Sequence, residues 1–176
     1  MRPYICEVCY TIKYDQLWRL QVATVNRRPG NLVGSSTGAV MSLVKISADL
    51  VGTPYQLGGT TDALDCFSLI VRYLQMKGMA VPSDLVFNGH SIADYPSEYK
   101  ADPKKMMGVA VDYIASITTE IPVHKAMAGD ILFVKTEDNE SLVINGGNGN
   151  IIAATKERGT VVLDEHGYKT QRVFRC

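Results

Sequence analysis

Histidine is scarce in this sequence: His90, His124 and His166 are the only three among 176 residues. Imidazole is the side chain that most often serves as a general base near neutral pH. A catalytic mechanism that requires a histidine base must therefore recruit one of these three residues.

Cysteine is also sparse, and the four residues Cys6, Cys9, Cys66 and Cys176 are too scattered for a disulfide framework in a domain of this size. We expect reduced thiols. The Cys6-x-x-Cys9 spacing is that of half a zinc site or a redox pair, so a metal or iron–sulfur site using Cys6, Cys9 and Cys176 is a minor alternative. The favoured interpretation is that Cys6 and Cys9 are ordinary residues of an alternating β-run. No cofactor is expected.

The sequence has neither a net charge nor a long apolar run. Its 18 basic and 18 acidic residues balance, which argues against a nucleic-acid partner. No run approaches the roughly 18 apolar residues that a membrane span needs, and the opening MRPYICEVCYTIKYD lacks the apolar segment of a signal peptide. We expect a soluble product made inside a cell.

The length predicts one hydrophobic core with an N-terminal appendage. Residues 1–36 are β-rich and end in a Pro/Gly/Ser-rich loop, which predicts a β-arm or hairpin. The domain proper is expected over 37–176. It begins with a helix of roughly twelve residues from Thr37, for which Gly52 is the stop, and CFSLIVRYLQMKG is a second helix that ends at Gly78.

The segment from 84 to 108 shows no sustained periodicity and predicts a long irregular loop, which is typical of functional or partner-contacting regions. Tyr95, Pro96 and Tyr99 are expected to anchor it. MMGVAVDYIASI predicts a further, weaker helix, and five β-runs follow: GDILFVK, SLVIN, NIIAAT, GTVVLD and KTQRVFR. Helices followed by a meander of about five strands indicate an α+β fold.

Cys66 stands at the predicted start of the second helix, where Asp65 or Thr61 is available as N-cap. Unpaired backbone amides at a helix N-terminus favour a thiolate, and many thiol nucleophiles occupy this position. Cys66 could equally be the first buried residue of an apolar helix.

Two segments resemble the NlpC-type cell-wall peptidases, which are papain-like cysteine hydrolases of peptidoglycan. The first is GTPYQLGGTTDALDCFSLIV, and the second is AGDILFVKTEDNESLVINGGNGNIIAAT. The matching residues are Gly52, Thr53, Pro54, Tyr55, Gly58, Gly59, Asp65, Cys66, Ser68, Leu69, Gly129, Asp130, Gly147, Asn148 and Gly149.

The resemblance implies helices packed on an antiparallel sheet, with Cys66 as the nucleophile and Tyr55 on the oxyanion side. It places the family's base histidine at Ser141 and the third catalytic position at Ala153. A serine hydroxyl does not accept a proton at neutral pH, and alanine cannot orient an imidazole. The sequence therefore favours a catalytically degenerate member of the family.

Three functions remain open. Copies of this fold that have a long mid-domain insertion and no export signal resemble those of bacteriophage tails. The leading hypothesis is thus a structural component of a virion tail tip, made in the host cytoplasm. Its partners would be other tail proteins, bound through the N-terminal arm and the loop 84–108, and peptidoglycan.

The alternative is an active endopeptidase or amidase that cuts peptidoglycan peptide stems with His90 as a substitute base. A third possibility is a bacterial cytoplasmic protein that binds a peptide or acyl group without cleaving it.

Overall fold

A computed structural model describes residues 36–81, 86–87, 90–91, 94–137 and 139–176; of residues 36–42, 86–87 and 90 it describes the backbone only. These residues belong to one compact unit that begins at Ser35. The predicted β-arm, with Cys6 and Cys9, lies outside the described residues.

Two helices form the N-terminal part of the domain. Helix α1 spans Ser36–Leu50 and is three residues longer than predicted. Helix α2 spans Cys66–Met76, and it ends where Gly78 takes the left-handed backbone conformation with φ +85°, which favours glycine. Both predicted helices are confirmed, and α2 buries an apolar face that includes Leu69, Ile70 and Leu74.

The segment 84–108 is more regular than predicted. It contains the two-residue strands β1 (Val86–Phe87) and β2 (His90–Ser91), which pair antiparallel, and helix α3 (Tyr95–Ala101). Helix α4 (Pro103–Ile117) then begins three residues before the predicted MMGVAVDYIASI and ends at the same residue.

The prediction of an irregular loop was wrong because the short helix α3 lacks a readable period, and because helix α4 begins with polar residues. Its N-terminus is set by Asp102, whose side chain accepts a hydrogen bond from the Lys105 backbone N–H at 3.0 Å, and by Pro103 at the first helical position.

Six strands form one antiparallel sheet in the order β3-β8-β4-β5-β6-β7. The strands are β3 (Thr119–Ile121), β4 (Ile131–Lys135), β5 (Glu140–Gly147), β6 (Asn150–Thr155), β7 (Gly159–Asp164) and β8 (Lys169–Arg175). The five predicted strands are confirmed, and β3 is an additional short strand at the sheet edge. The predicted meander holds for β4 to β7 but was wrong for β8, which crosses back to pair with β4 and β3. A single-turn 3₁₀ helix, Val123–Lys125, lies in the connection between β3 and β4.

The sheet has an apolar cluster on each face. On the helix face, Leu142 and Ile144 of β5 pack with side chains of α2 and α4, among them Ile70 and Ile114, in the main core. A second, smaller cluster contains Leu132, Val134, Val143, Ile151, Ala153 and Val173. Successive side chains along a strand point to opposite faces of the sheet, so the same strands supply both clusters. Helices packed on one face of an antiparallel sheet confirm the predicted α+β architecture.

In the part of the chain that the structure describes, none of the helices is both long enough and apolar enough to cross a bilayer.

Candidate active site

The loop that approaches Cys66 is held by backbone hydrogen bonds at both of its ends. At its start, the Gly52 N–H donates to Thr160 O and the Thr160 N–H donates to Thr53 O, each at 2.8 Å, so the loop pairs with strand β7. Near its end, the Leu64 N–H donates to Pro54 O at 2.8 Å. The GTPY segment is thereby fixed beside the start of helix α2.

Asp65 caps helix α2 and is almost completely buried. Its carboxylate accepts hydrogen bonds from the Gly58 N–H at 2.7 Å and from the Ser68 N–H at 2.8 Å, while the Ser68 hydroxyl receives the Asp65 N–H. This reciprocal arrangement is a capping box. Of the two candidate N-caps, Asp65 is the one confirmed, and Cys66 is the first residue of the helix.

The sulfur of Cys66 lies in a desolvated environment that opposes ionisation. Burial, with the charge of the adjacent Asp65 carboxylate next in effect, raises the pKa of the thiol to about 12. Hydrogen bonds from the Leu142 backbone and the Ser141 side chain act in the opposite direction but do not outweigh these effects. At neutral pH the thiol is therefore protonated, and a protonated thiol is a poor nucleophile.

Tyrosines surround the thiol. Burial, followed by the negative charges of Asp65 and Cys66, raises the pKa of Tyr55 to about 12. Tyr55 therefore lies near the thiol. Burial and then the charges at Cys66 and Asp65 also raise the pKa of Tyr99. The buried ring of Tyr95 packs between Phe67, at 5.4 Å between centroids, and Tyr99, at 5.6 Å. Helix α3 thus supplies one aromatic wall of the site.

The expectation that Tyr95, Pro96 and Tyr99 anchor the 84–108 segment is confirmed by these contacts. Pro96 packs so closely on Gly58 that a Cβ at position 58 would collide with its ring, and Gly58 also has a positive φ of 71°. Only glycine satisfies both constraints. The first glycine of the GG pair therefore serves the contact between the loop and helix α3.

Of the two residues assigned to the remaining catalytic positions, the structure brings one to the thiol. Ser141, at the start of β5, contacts Cys66 as described. Ala153 on β6 is 5% exposed and belongs to the second apolar cluster with Val143 and Val134. A methyl group in that setting offers no hydrogen bond to a base.

Of the three histidines, the two whose side chains the structure describes are exposed. His124 lies in the 3₁₀ helix and is exposed. His166 is exposed in a turn, where its Nδ1 is 2.7 Å from the Asp164 carboxylate. His90 lies on β2, where only the backbone is described. Its role as a substitute base stays a prediction.

No metal centre is indicated by the described residues, among which no three His, Cys, Asp or Glu side chains gather in a suitable cluster. Cys176 is exposed at the end of the chain. A site that uses Cys6, Cys9 and Cys176 cannot be assembled from the described residues alone.

Asp65 has a larger influence on the thiol than the sequence suggested, and Tyr99 also lies near the thiol. Asp65 was expected only as a cap, yet its charge is the largest electrostatic influence on Cys66. The sequence signal for this electrostatic effect was that Asp65 and Cys66 are adjacent in the chain. Tyr99 gave no local signal, because its proximity to Cys66 depends on how α3 folds back onto α2.

The comparisons with known proteins agree with this geometry. The model of the NlpC/P60 family matches residues 52–175, which is more than half of the chain. This chain belongs to the NlpC/P60 family. The match begins at Gly52, the first residue of the loop that pairs with β7, and includes helix α2 and the whole six-stranded sheet.

Solved structures show the same fold. The NlpC/p60 domain of the peptidoglycan hydrolase SagA is 23% identical, with a TM-score of 0.50 over 78% of this chain and 98% of that chain. A hypothetical invasion protein of Mycobacterium tuberculosis is 18% identical, with a TM-score of 0.50 over 85% of this chain and 70% of that chain. No curated protein matches the chain significantly.

Family membership makes this a peptidoglycan hydrolase-like domain. The assignment of Ser141 and Ala153 to the family's second and third catalytic positions stays a prediction from the motif spacing. The same is true of Tyr55 on the oxyanion side.

Proposed function

We propose that this NlpC/P60 domain is catalytically degenerate and that its thiol site holds a peptidoglycan peptide without cutting it. The observation that carries the proposal is that the polar side chain near Cys66 on strand β5 is that of Ser141, which lies close enough to affect the pKa of the thiol. In an active thiol hydrolase, a base within hydrogen-bond reach takes the thiol proton. Serine cannot do so at neutral pH.

The electrostatics of the site support the same proposal. Burial and the Asp65 carboxylate raise the pKa of Cys66 to about 12, whereas reactive cysteines have lowered pKa values and an electropositive environment. The loss of a general base alone costs on the order of 10²- to 10⁴-fold in rate. A site that retains the loop, the cap and the aromatic wall can still bind a chain across it.

The experiment compares the full chain with its Cys66→Ala variant on purified insoluble peptidoglycan. We expect both proteins to cosediment with the peptidoglycan and neither to release soluble peptide fragments detectable by mass spectrometry. Release of fragments by the unmodified chain but not by Cys66→Ala would overturn the proposal.

The alternative function, an active endopeptidase or amidase, depends on His90 as base. Its position on β2, just before α3 brings Tyr95 and Tyr99 to the thiol site, is the observation that favours it. If fragments are released, His90→Ala should abolish the release, while His124→Ala, an exposed histidine on the 3₁₀ helix, should not. Activity unaffected by His90→Ala would eliminate this form of the alternative.

We further propose that the domain serves as a structural component of a bacteriophage tail tip, produced in the host cytoplasm and then incorporated into the virion. The support is the resemblance of the sequence to phage-borne copies and the segment of about 25 residues between 84 and 108. Other tail proteins would bind this segment and the N-terminal arm. Mass spectrometry of purified tailed virions from the source of the chain should detect it in stoichiometric amount, and its absence from them would contradict the proposal.

A further inference from the structure

The turn between strands β5 and β6 holds an asparagine in an unusual backbone conformation. Asn148 has a φ of 54°, and among the described residues it is the one residue other than glycine with a positive φ. Gly149 follows with a φ of 75°, and Gly147 pairs with Asn150 across the turn. Positive φ at both central residues is the pattern of the type I′ hairpin, in which Asn-Gly is a favoured pair. The fold therefore presents an Asn-Gly pair at the tip of a hairpin.

An Asn-Gly pair is open to attack by its own backbone, because glycine has no Cβ to hinder the approach. The glycine nitrogen, once it has lost its proton, bonds to the asparagine Cγ. The Cγ–Nδ2 bond then breaks, the side-chain nitrogen leaves as ammonia, and a five-membered succinimide remains. Water opens this ring at either carbonyl carbon, which gives aspartate or isoaspartate.

The first of the two Asn-Gly pairs that the structure describes, Asn145-Gly146 on strand β5, is held in place by hydrogen bonds. The Asn145 N–H donates to Asp130 O, and Asn145 O accepts from the Gly129 N–H, each at 2.8 Å. The Asn145 Oδ1 accepts from the Gly147 N–H at 2.8 Å. The side chain must release this bond, and the backbone must rotate, before Cγ can meet the next nitrogen. We therefore expect the reaction to be slow at this pair.

The second described pair, Asn148-Gly149, is less restrained. Asn148 is exposed, and no residue in the described part of the chain forms a hydrogen bond with its side-chain amide. Its backbone O accepts a hydrogen bond from the Asn150 Nδ2 at 3.3 Å, which is long for this type of bond. The Asn148 side chain can therefore turn to the Gly149 nitrogen without breaking a hydrogen bond.

We propose that Asn148 is a site of spontaneous deamidation in the folded protein, and that the fold protects Asn145, three residues earlier. Water is the co-reactant, and the rate rises with pH because the attacking group is the deprotonated Gly149 nitrogen. The site lies at the opposite end of β5 from Ser141, roughly 20 Å away at about 3.3 Å per residue. The proposal is thus independent of what the thiol site binds or cuts.

The reaction should loosen the contact between two neighbouring turns. Gly149 O accepts a hydrogen bond at 2.8 Å from the N–H of Glu165, in the turn after β7. A Cβ at position 149 would lie 4.0 Å from the Glu165 Oε1. Either product places a negative charge near this carboxylate, and isoaspartate also adds one carbon to the backbone. We expect both changes to weaken the bond from the Glu165 N–H.

Peptide mapping by mass spectrometry tests the site on the full chain, incubated folded at mildly alkaline pH. We expect position 148 to convert at least about 5-fold faster than position 145, whose side chain must first break a hydrogen bond. In denaturant the two pairs should convert at similar rates, because the local Asn-Gly sequence is the same. Equal conversion in the folded chain, faster conversion at 145, or no conversion at 148 would overturn the proposal. A preference that persists in denaturant would show that the fold does not protect Asn145.

Hydrogen exchange tests the effect on the neighbouring turn. The Glu165 N–H should exchange at least about 5-fold faster in the deamidated chain than in the fresh chain. Asn148→Gly is the matched control, because it tolerates the positive φ and removes the reactive amide; its Glu165 N–H should not change on the same incubation. The third Asn-Gly pair, Asn88-Gly89, lies outside the described residues and is present in both chains. Unchanged exchange after deamidation, or an equal change in the control, would contradict the expected loosening.

Discussion

Ser141, near the start of strand β5, lies close enough to Cys66, the first residue of helix α2, for its side chain to lower the pKa of the thiol. The Ser141 hydroxyl itself donates a hydrogen bond to Leu142 O at 3.4 Å. It offers the thiol no group that accepts a proton at neutral pH.

Replacement of Ser141 by histidine is expected to lower the pKa of the Cys66 thiol, because a protonated imidazole beside sulfur stabilises the thiolate. The rate of alkylation by iodoacetamide at pH 7 should rise by about 10-fold or more over the unmodified chain. Ser141→Ala is the control and should react more slowly still, because it loses a hydrogen bond that favours the thiolate. A Ser141→His variant that is folded by circular dichroism and reacts no faster would contradict the expectation.

The pH dependence of the unmodified chain follows from the same site. Burial, with the Asp65 charge next in effect, raises the pKa of the folded thiol from its ordinary value to about 12. Its protonated form favours folding below about pH 9, and this contribution is lost as the pH rises toward 12. Alkylation of the native protein should accelerate only at strongly alkaline pH, and urea midpoints should decrease over the same range. A thiol that titrates near pH 8.5 in the folded chain would show that the site is open to solvent.

Neutralisation of Asp65 should also make the thiol more acidic. Asp65→Asn removes the charge that most strongly raises the pKa of Cys66 after burial, and asparagine remains a good N-cap. We expect faster alkylation at pH 8 by a few-fold and a loss of stability of about 1 kcal/mol. The matched control is Asp102→Asn, at the N-cap of α4, which should leave the alkylation rate unchanged. Equal rates in both variants would exclude the electrostatic effect of Asp65.

Two arginines on strand β8 should differ in their effect on stability. Arg175 forms two hydrogen bonds, at 2.9 and 2.8 Å, with the buried carboxylate of Asp130, which is 4% exposed. Arg175→Met should cost about 2–3 kcal/mol, since it leaves a buried charge without its partner. Arg172→Met should cost less than about 1 kcal/mol, because Glu120 and Asp112 are exposed. Chemical denaturation measures both, and a reversed order would contradict the assignment.

Alanine substitutions at two glycines with positive φ distinguish the cost of backbone strain from the cost of a steric collision. Gly159 has a φ of 70°, and a Cβ there would meet the Thr53 carbonyl, whereas Gly167 has a φ of 90° and open space around it. Gly167→Ala should cost about 1–2 kcal/mol through strain alone. Gly159→Ala should cost more, because it also displaces the loop from β7. Equal losses would show that the pairing between the loop and β7 does not restrict the backbone.

Much of the fold could be predicted because its signals are local. The apolar run after Cys66, the Asp65 cap and the Gly78 stop lie within 14 residues, and β4 to β7 pair in chain order as a meander. The return of β8 to pair with β4 has no such local signal. Strand β3 escaped prediction because TEI is too short to carry a period. Its pairing with β8 joins residues more than 50 positions apart.

The site was less accessible to prediction for the same reason. The motif pointed to Cys66, Tyr55 and Ser141, and both Tyr55 and Ser141 lie near enough to Cys66 to interact with it electrostatically; their catalytic roles stay predictions. The contributions of Tyr95 and Tyr99 depend on α3 packing against Phe67, a tertiary contact between segments that no local pattern joins.

The pairing of Gly52 and Thr53 with Thr160 has a further consequence for association between molecules. Strand β7 is the last strand of the sheet, and an exposed edge can template the addition of a strand from another chain. The loop that leads to the thiol occupies part of that edge with its own backbone. A change that frees the loop is therefore expected to promote aggregation as well as to disturb the thiol.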